Sequence, residues 1–387
     1  MIHLLLAIIY LSFISLGLPD GLLGSAWPSM YPDFAVPVSY AGVVSMIVAA
    51  GTIVSSLMSD RLTYKLGTGK VTAISVAMTA MALWGFGTSS AFWMLCLWAI
   101  PYGLGAGSVD AALNNYVALH YSSRHMSWLH CMWGVGASVG PYIMGFVLSG
   151  GQHWSLGYKV VGTIQILVTL ILFFSLPRWK IRQQGGENQE ESYQPLTLKQ
   201  IVKIPGAKEI MLAFFGYCAL EQTAMLWASS YLALYKGIPA ETAAFFGSLC
   251  CVGITIGRAL NGFLTMKFSD TQLIRLGESI ILLGVVAMLL PLGDAVSLAG
   301  LILVGLGCAP IYPCIIHSTP ENFGPENSQA LVGVQMASAY VGICLMPPLF
   351  GLIANHISIS LLPFYLFAIL ALMALMHERM LKKVRKR

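Results

Sequence analysis

The sequence predicts an all-α membrane protein of twelve transmembrane helices in two pseudo-symmetric six-helix halves. Three observations predict it: the scarcity of charge, the recurrence of apolar runs long enough to span a bilayer, and short motifs that repeat roughly 200 residues apart.

Of the 387 residues, 57% are hydrophobic and 10% charged. A soluble chain of this length could not solvate itself with so little charge, whereas each helical crossing of a bilayer requires about 20 apolar residues. Such runs fall at 3–28, 38–58, 70–88, 92–119, 128–149, 157–176, 210–234, 242–266, 273–291, 295–317, 329–353 and 360–378. The 39 glycines and 18 prolines fit this class, because neighbouring helices in lipid re-satisfy the backbone groups that such residues free. All eight cysteines (Cys96, Cys131, Cys218, Cys250, Cys251, Cys308, Cys314 and Cys344) fall in apolar stretches without metal-ligand spacing to histidine. They read as small buried hydrophobes, and no metal site is expected. The first run admits a second reading as a cleaved leader ending at Gly24-Ser25-Ala26. Against that reading, it lacks a basic start and has a counterpart in the second half.

Basic residues set the expected orientation. With the N-terminus inside, the inner segments hold Arg61, Lys65, Lys70, Arg124, Arg178, Lys180, Arg182, Lys199, Lys203, Lys208, Lys267, Arg275, Arg379, Lys382, Lys383, Arg385, Lys386 and Arg387, which is 18 of the 21 Lys and Arg. Lys159 and Lys236 lie outside, and Arg258 near the inner end of a run. Both termini are therefore expected in the cytoplasm, and the protein in the plasma membrane, the inner one of a bacterium. The net charge of +5 reflects this topology and implies no nucleic-acid partner. The run Lys382–Arg387 reads as an anchor to anionic lipid.

The polar segment 177–208 divides the chain into an N-terminal half, 1–176, and a C-terminal half, 209–387, and is expected to form a cytoplasmic linker. The halves echo each other. Asp20 and Trp27 correspond to Glu221 and Trp227, Gly103-Leu104-Gly105 to Gly305-Leu306-Gly307, Pro141 to Pro347, and Arg61 to Arg258.

Acids inside such runs demand a reason, since a carboxylate at the bilayer centre costs about 2.5–3.5 kcal/mol on insertion scales. Asp20 lies in Gly17-Leu18-Pro19-Asp20-Gly21, where Pro and Gly weaken the helix. Asp110 shares a helix face with Asn114 one turn on. Glu221 sits mid-run beside Gln222, and Glu278 lies near an inner end, where it reads as structural. Each of the first three is either a structural carboxylate locking helices together or an ion-coupling group. A low-dielectric site disfavours the ionised form, so such a group can take a proton on one side and release it on the other. The coupling ion is expected to be a proton, with sodium left open, and no cofactor is implied. The remaining polar set is Asn114, Asn115, Gln165, Gln222 and Gln335, with Trp133, Trp227, Tyr231, Tyr340 and His130. Amides offer donor and acceptor together, and aromatic faces pack against sugar rings, so the set suits a neutral hydroxylated solute. Any one of the aromatics reads equally as a packing residue.

Two six-helix halves joined by an inner loop resemble the major facilitator superfamily, in which rocking of the halves exposes a site near mid-membrane to each side in turn. Asp60-Arg61, with Lys65 and Gly67 beyond, is similar to the loop motif that latches the inner gate there, although Ser56 stands where Gly is usual. Arg258 after Gly257 is its expected counterpart. Within the superfamily the chain resembles the fucose permease-like proton symporters. The resemblance rests on Asp20-Gly21-Leu22-Leu23-Gly24 with Trp27-Pro28, and on Gly107-Ser108-Val109-Asp110 with Asn114. It also rests on Leu129-His130 with Trp133-Gly134, on Glu221 with Trp227 and Tyr231, and on Ala309-Pro310-Ile311-Tyr312-Pro313. It implies a monomeric secondary transporter that takes up a small neutral polar solute such as a monosaccharide, with proton coupling on Asp20 and Asp110. Two rivals stay open: a proton-driven efflux carrier for amphipathic compounds and a non-transporting sensor. No hydrolase, zincin or P-loop motif supports an enzyme.

Overall fold

The computed structural model describes residues 2–183, 195–238 and 240–385. Every regular element among them is helical. The long helices follow the apolar runs: α1 (Ile2–Gly17) with α2 (Leu22–Asp33), α3 (Ala41–Leu66), α4 (Thr68–Thr88), α5 (Phe92–His120), α6 (Ser123–Ser149) and α7 (Trp154–Gln183). After the short α8 (Leu198–Ile201) come α9 (Ala207–Leu234), α10 (Ala240–Leu264), α11 (Asp270–Leu289) and α12 (Asp294–His317). The short α13 (Thr319–Phe323), α14 (Pro325–His356) and α15 (Leu362–Val384) complete the chain. Among the described residues, eleven helices are long and apolar enough to cross a membrane, counting α1 and α2 as one crossing. The 25-residue α10, packed on α9 and α12, makes the twelfth.

Several helices outlast their apolar runs at the basic ends. Bilayer thickness limits the apolar run and not the helix, so α3 extends to Leu66 and α15 carries Arg379, Lys382 and Lys383. Likewise α7 continues through Pro177 to Gln183, into the expected linker. Residues 184–194 of that linker, and Lys386 and Arg387, lie outside the described residues. The chain re-enters the second half through Gly206, whose left-handed φ of 90° suits a residue without a Cβ.

Two compact units result, Met1–Tyr116 with Leu129–Leu196, and Val117–Trp128 with Thr197–Arg387. In the first, α1 meets α6 backbone to backbone. Gly136 faces the Ile14 carbonyl and Gly140 the Leu18 carbonyl, where any Cβ would collide. Such close approach drives helix association where water cannot. The repeated glycine motif does equivalent work in each unit. Gly105 of α5 packs on the Ser75 carbonyl of α4, and Gly307 of α12 on the Gly277 carbonyl of α11.

Candidate functional site

Three clusters of polar side chains stand out within the apolar helices, two in the first unit and one in the second. The first is built on the break in the opening helix. α1 stops at Gly17 and α2 starts at Leu22, and the turn between them presents Asp20, which remains exposed. Its carboxylate accepts the Trp133 indole N–H on Oδ2 at 2.8 Å and the Tyr102 hydroxyl on Oδ1 at 3.3 Å. Trp133 comes from α6 and Tyr102 from α5, so three helices converge on one acid. The two donors differ in kind. An indole N–H can only donate, whereas a phenol can rotate and accept. Of the two carboxylate oxygens, Oδ1 thus faces a partner that can reverse its hydrogen bond and Oδ2 one that cannot.

The second cluster is buried. Asp110 Oδ1 accepts from Asn114 Nδ2 at 2.7 Å, one turn along α5 as the helical spacing predicts. The Asn114 carbonyl oxygen faces His130 Nε2 at 3.0 Å. With the amide oriented this way, His130 must carry its hydrogen on Nε2. The ring stands edge-on to Phe13, 5.4 Å between centroids. His130 lies two turns inside α6 in a buried network, and Trp133 follows it one turn later. One helix thus serves both acids of the first unit. Asn115 is buried on the same stretch of α5.

In the second unit the mid-run acid has a countercharge. Arg258 Nη2 donates to Glu221 Oε1 at 3.0 Å, and the two side chains are 4% and 13% exposed. The guanidinium carbon lies 5.9 Å from the centre of the Tyr312 ring. Nη2 also lies 3.5 Å from the Tyr217 hydroxyl oxygen. Arg258, expected as the gating counterpart of Arg61, and Glu221, expected as a coupling acid, meet here as a buried ion pair between α9 and α10. Tyr102 and Tyr217 escape a reading of the sequence, because a tyrosine in an apolar run carries no signal until its partner is placed.

The comparisons with known proteins agree with this architecture. The family model described as Major Facilitator Superfamily matches residues 9–327. The chain belongs to the major facilitator superfamily. The glucose/mannose transporter GlcP of Bacillus subtilis is 22% identical over 324 residues, covering 79% of this chain and 77% of GlcP. Among solved structures, the E. coli fucose:proton symporter FucP superposes with a TM-score of 0.77 at 17% identity, covering 97% of this chain and 98% of FucP. The proton:xylose symporter XylE, bound to 6-bromo-6-deoxy-D-glucose, gives 0.77 at 13% identity, covering 96% of this chain and 94% of XylE. The protein is accordingly a multi-pass transporter of the superfamily and not an enzyme.

Several predicted solute ligands are otherwise engaged in this member of the superfamily. Gln165 Nε2 donates to the Ser15 carbonyl at 2.6 Å and its Oε1 accepts from Thr79 at 2.6 Å, so the amide ties α7 to α1 and α4. The Trp227 indole donates to the Pro347 carbonyl at 3.0 Å. The buried Tyr231 hydroxyl donates to the Met288 carbonyl at 3.3 Å, and Gln335 Oε1 accepts from Thr319 at 3.2 Å. In this structure these four side chains, expected as solute ligands, link one helix to another. Gln222 and Tyr340 are half-buried on α9 and α14. At the expected gate, Asp60 is buried and accepts the Leu196 backbone N–H at 3.2 Å, fastening the chain's exit from the linker to the end of α3. Arg61 beside it is exposed.

Proposed function

We propose that the protein is a proton-coupled symporter that takes up a small neutral polar solute, a monosaccharide in the first instance, by alternating access. The observation that carries this reading is Asp20: an acid inside the first crossing, exposed at a helix break and held by two neutral donors with no countercharge among those contacts. A carboxylate kept in place by neutral donors can exchange its proton without first breaking an ion pair. Access and a rotatable hydroxyl are what a loading site needs. Asp110 is the second coupling group, tied through Asn114 to His130. Trp133 is the proposed solute contact, since its half-buried indole suits packing against a sugar ring. Glu221 with Arg258 is an internal pair that holds α9 to α10. Support comes from GlcP, FucP and XylE, which are named as transporters of glucose and mannose, fucose with a proton, and xylose with a proton.

In this reading both termini face the cytoplasm, a placement that the clustering of 18 of the 21 Lys and Arg in segments of one side supports. Purified protein in vesicles with a pH-sensitive dye inside tests the function. Adding the cognate monosaccharide outside should acidify the lumen, and Asp20→Asn should abolish the signal. Solute entry with no proton movement, or expulsion of amphipathic compounds in place of sugar entry, would defeat the proposal.

A further inference from the structure

The 117–128 segment departs from the rest of the first half. It comprises the last turn of α5, the bend at Tyr121 and Ser122, and the first turn of α6, and it packs with the second unit. Four contacts hold it there. Asp270, the first residue of α11, accepts the Ser123 hydroxyl on Oδ1 at 2.5 Å. Its Oδ2 meets Nδ1 of His317, the last residue of α12, at 2.6 Å. His317 Nε2 meets the Tyr121 backbone carbonyl at 3.1 Å. Close by, Asn261 Nδ2 donates to Ser127 Oγ at 2.8 Å, and the Trp128 indole to the Ala259 carbonyl at 3.3 Å.

The hydrogen bonds count a proton. A carbonyl oxygen only accepts, so Nε2 of His317 must bear hydrogen. Nδ1 then faces a carboxylate oxygen at 2.6 Å, and two lone pairs cannot sit at that distance. A proton therefore lies between them, whichever atom it formally belongs to. Ser123 cannot supply it, since its hydroxyl hydrogen is directed at the other oxygen. The assembled trio holds one proton more than a separate ionised Asp and neutral His.

We propose that His317 and Asp270 form a second proton site, at the basic face of the membrane, which latches 117–128 onto the second unit and lets cytosolic pH set how firmly it holds. Once the segment lifts away, His317 loses its carbonyl partner and is free to release the proton above about pH 6.5, the ordinary imidazole value. Of the other titratable groups here, Glu321 faces His317 from α13 and favours the charged ring, while Cys314, one turn earlier on α12, faces Asp270. The sign follows from linkage: the latched form binds the extra proton, so acid favours it, and its advantage falls by up to about tenfold per pH unit above that value.

The test needs no solute, so its outcome is separate from that of the transport assay. Hydrogen–deuterium exchange of the purified full chain is measured at pH 6, 7 and 8, corrected for the intrinsic rate at each pH, on peptides covering 117–128. Wild-type protection should fall by about tenfold between pH 7 and pH 8. His317→Gln, which keeps polar contacts but cannot titrate, should show protection that varies less than twofold across the range, and so should Asp270→Asn. Flat protection in the wild type overturns the proposal on its own, whether or not the variants fold. A wild-type slope retained in either variant overturns it as well.

Discussion

Asp20 and Glu221 occupy corresponding helices of the two halves, yet the protein keeps their charges in opposite ways. Asp20 sits where the helix is broken, exposed, with an indole and a phenol as donors. Glu221 sits in the unbroken α9, nearly buried, with a guanidinium against it. A carboxylate in an apolar environment must be either hydrogen-bonded with access to water or matched by a countercharge. The first solution, in the proposed symport, would let a proton come and go without breaking an ion pair. The second locks the charge, because discharging one partner strands the other. The local backbone separates the two acids: the chain breaks its helix at Pro19, between Gly17 and Gly21, whereas α9 runs unbroken through Glu221.

The largest effect expected from this contrast is on Asp20. Asp20→Asn keeps the shape and the Trp133 contact but cannot carry a proton, so the accumulation ratio should fall to unity at every external pH from 5.5 to 8. Counterflow of solute should persist. Accumulation at wild-type level would erase the distinction between the two acids.

Next in size is the ion pair, whose failure should show as instability. Arg258→Met leaves Glu221 buried against no cation, which should cost about 3–5 kcal/mol and depress the thermal midpoint of the purified protein. The double variant Glu221→Gln with Arg258→Met should recover most of that loss. If the single and double variants melt alike, the two side chains do not act as a pair. Asp110→Asn should be milder for the fold, since the amide can still accept from Asn114. Its signature is exchange without accumulation, and retention of full accumulation would confine coupling to Asp20.

Smaller effects test the reassigned amides and aromatics. Gln165→Ala takes the donor from the Ser15 carbonyl and leaves the Thr79 hydroxyl only the Val76 carbonyl, and should destabilise by about 1–3 kcal/mol while leaving apparent solute affinity unchanged. Trp227→Phe removes one hydrogen bond to Pro347 and should alter affinity by less than twofold. A tenfold loss of affinity in either would return that residue to the solute site.

The sequence by itself determined the crossings, the repeat, the helix break at Asp20 and the Asp110–Asn114 contact. Each follows from local rules: the apolar length of a helix in lipid, the φ demands of Pro and Gly, and the reach of one helical turn. Its limits were equally physical. Apolar length marks the bilayer but not the helix, so α7 ran on past Pro177. Only the tertiary structure decided which polar groups meet across helices. Trp133 reaches Asp20 from 113 residues away, Arg258 reaches Glu221 from 37, and Gln165 turns inward to Ser15 and Thr79. Such meetings depend on the rotation and height of one helix against the next, which are set by how closely glycine-lined backbones such as α1 and α6 approach. No single helix carries that information, so Arg258 read as a gate in the sequence and became a countercharge in the fold.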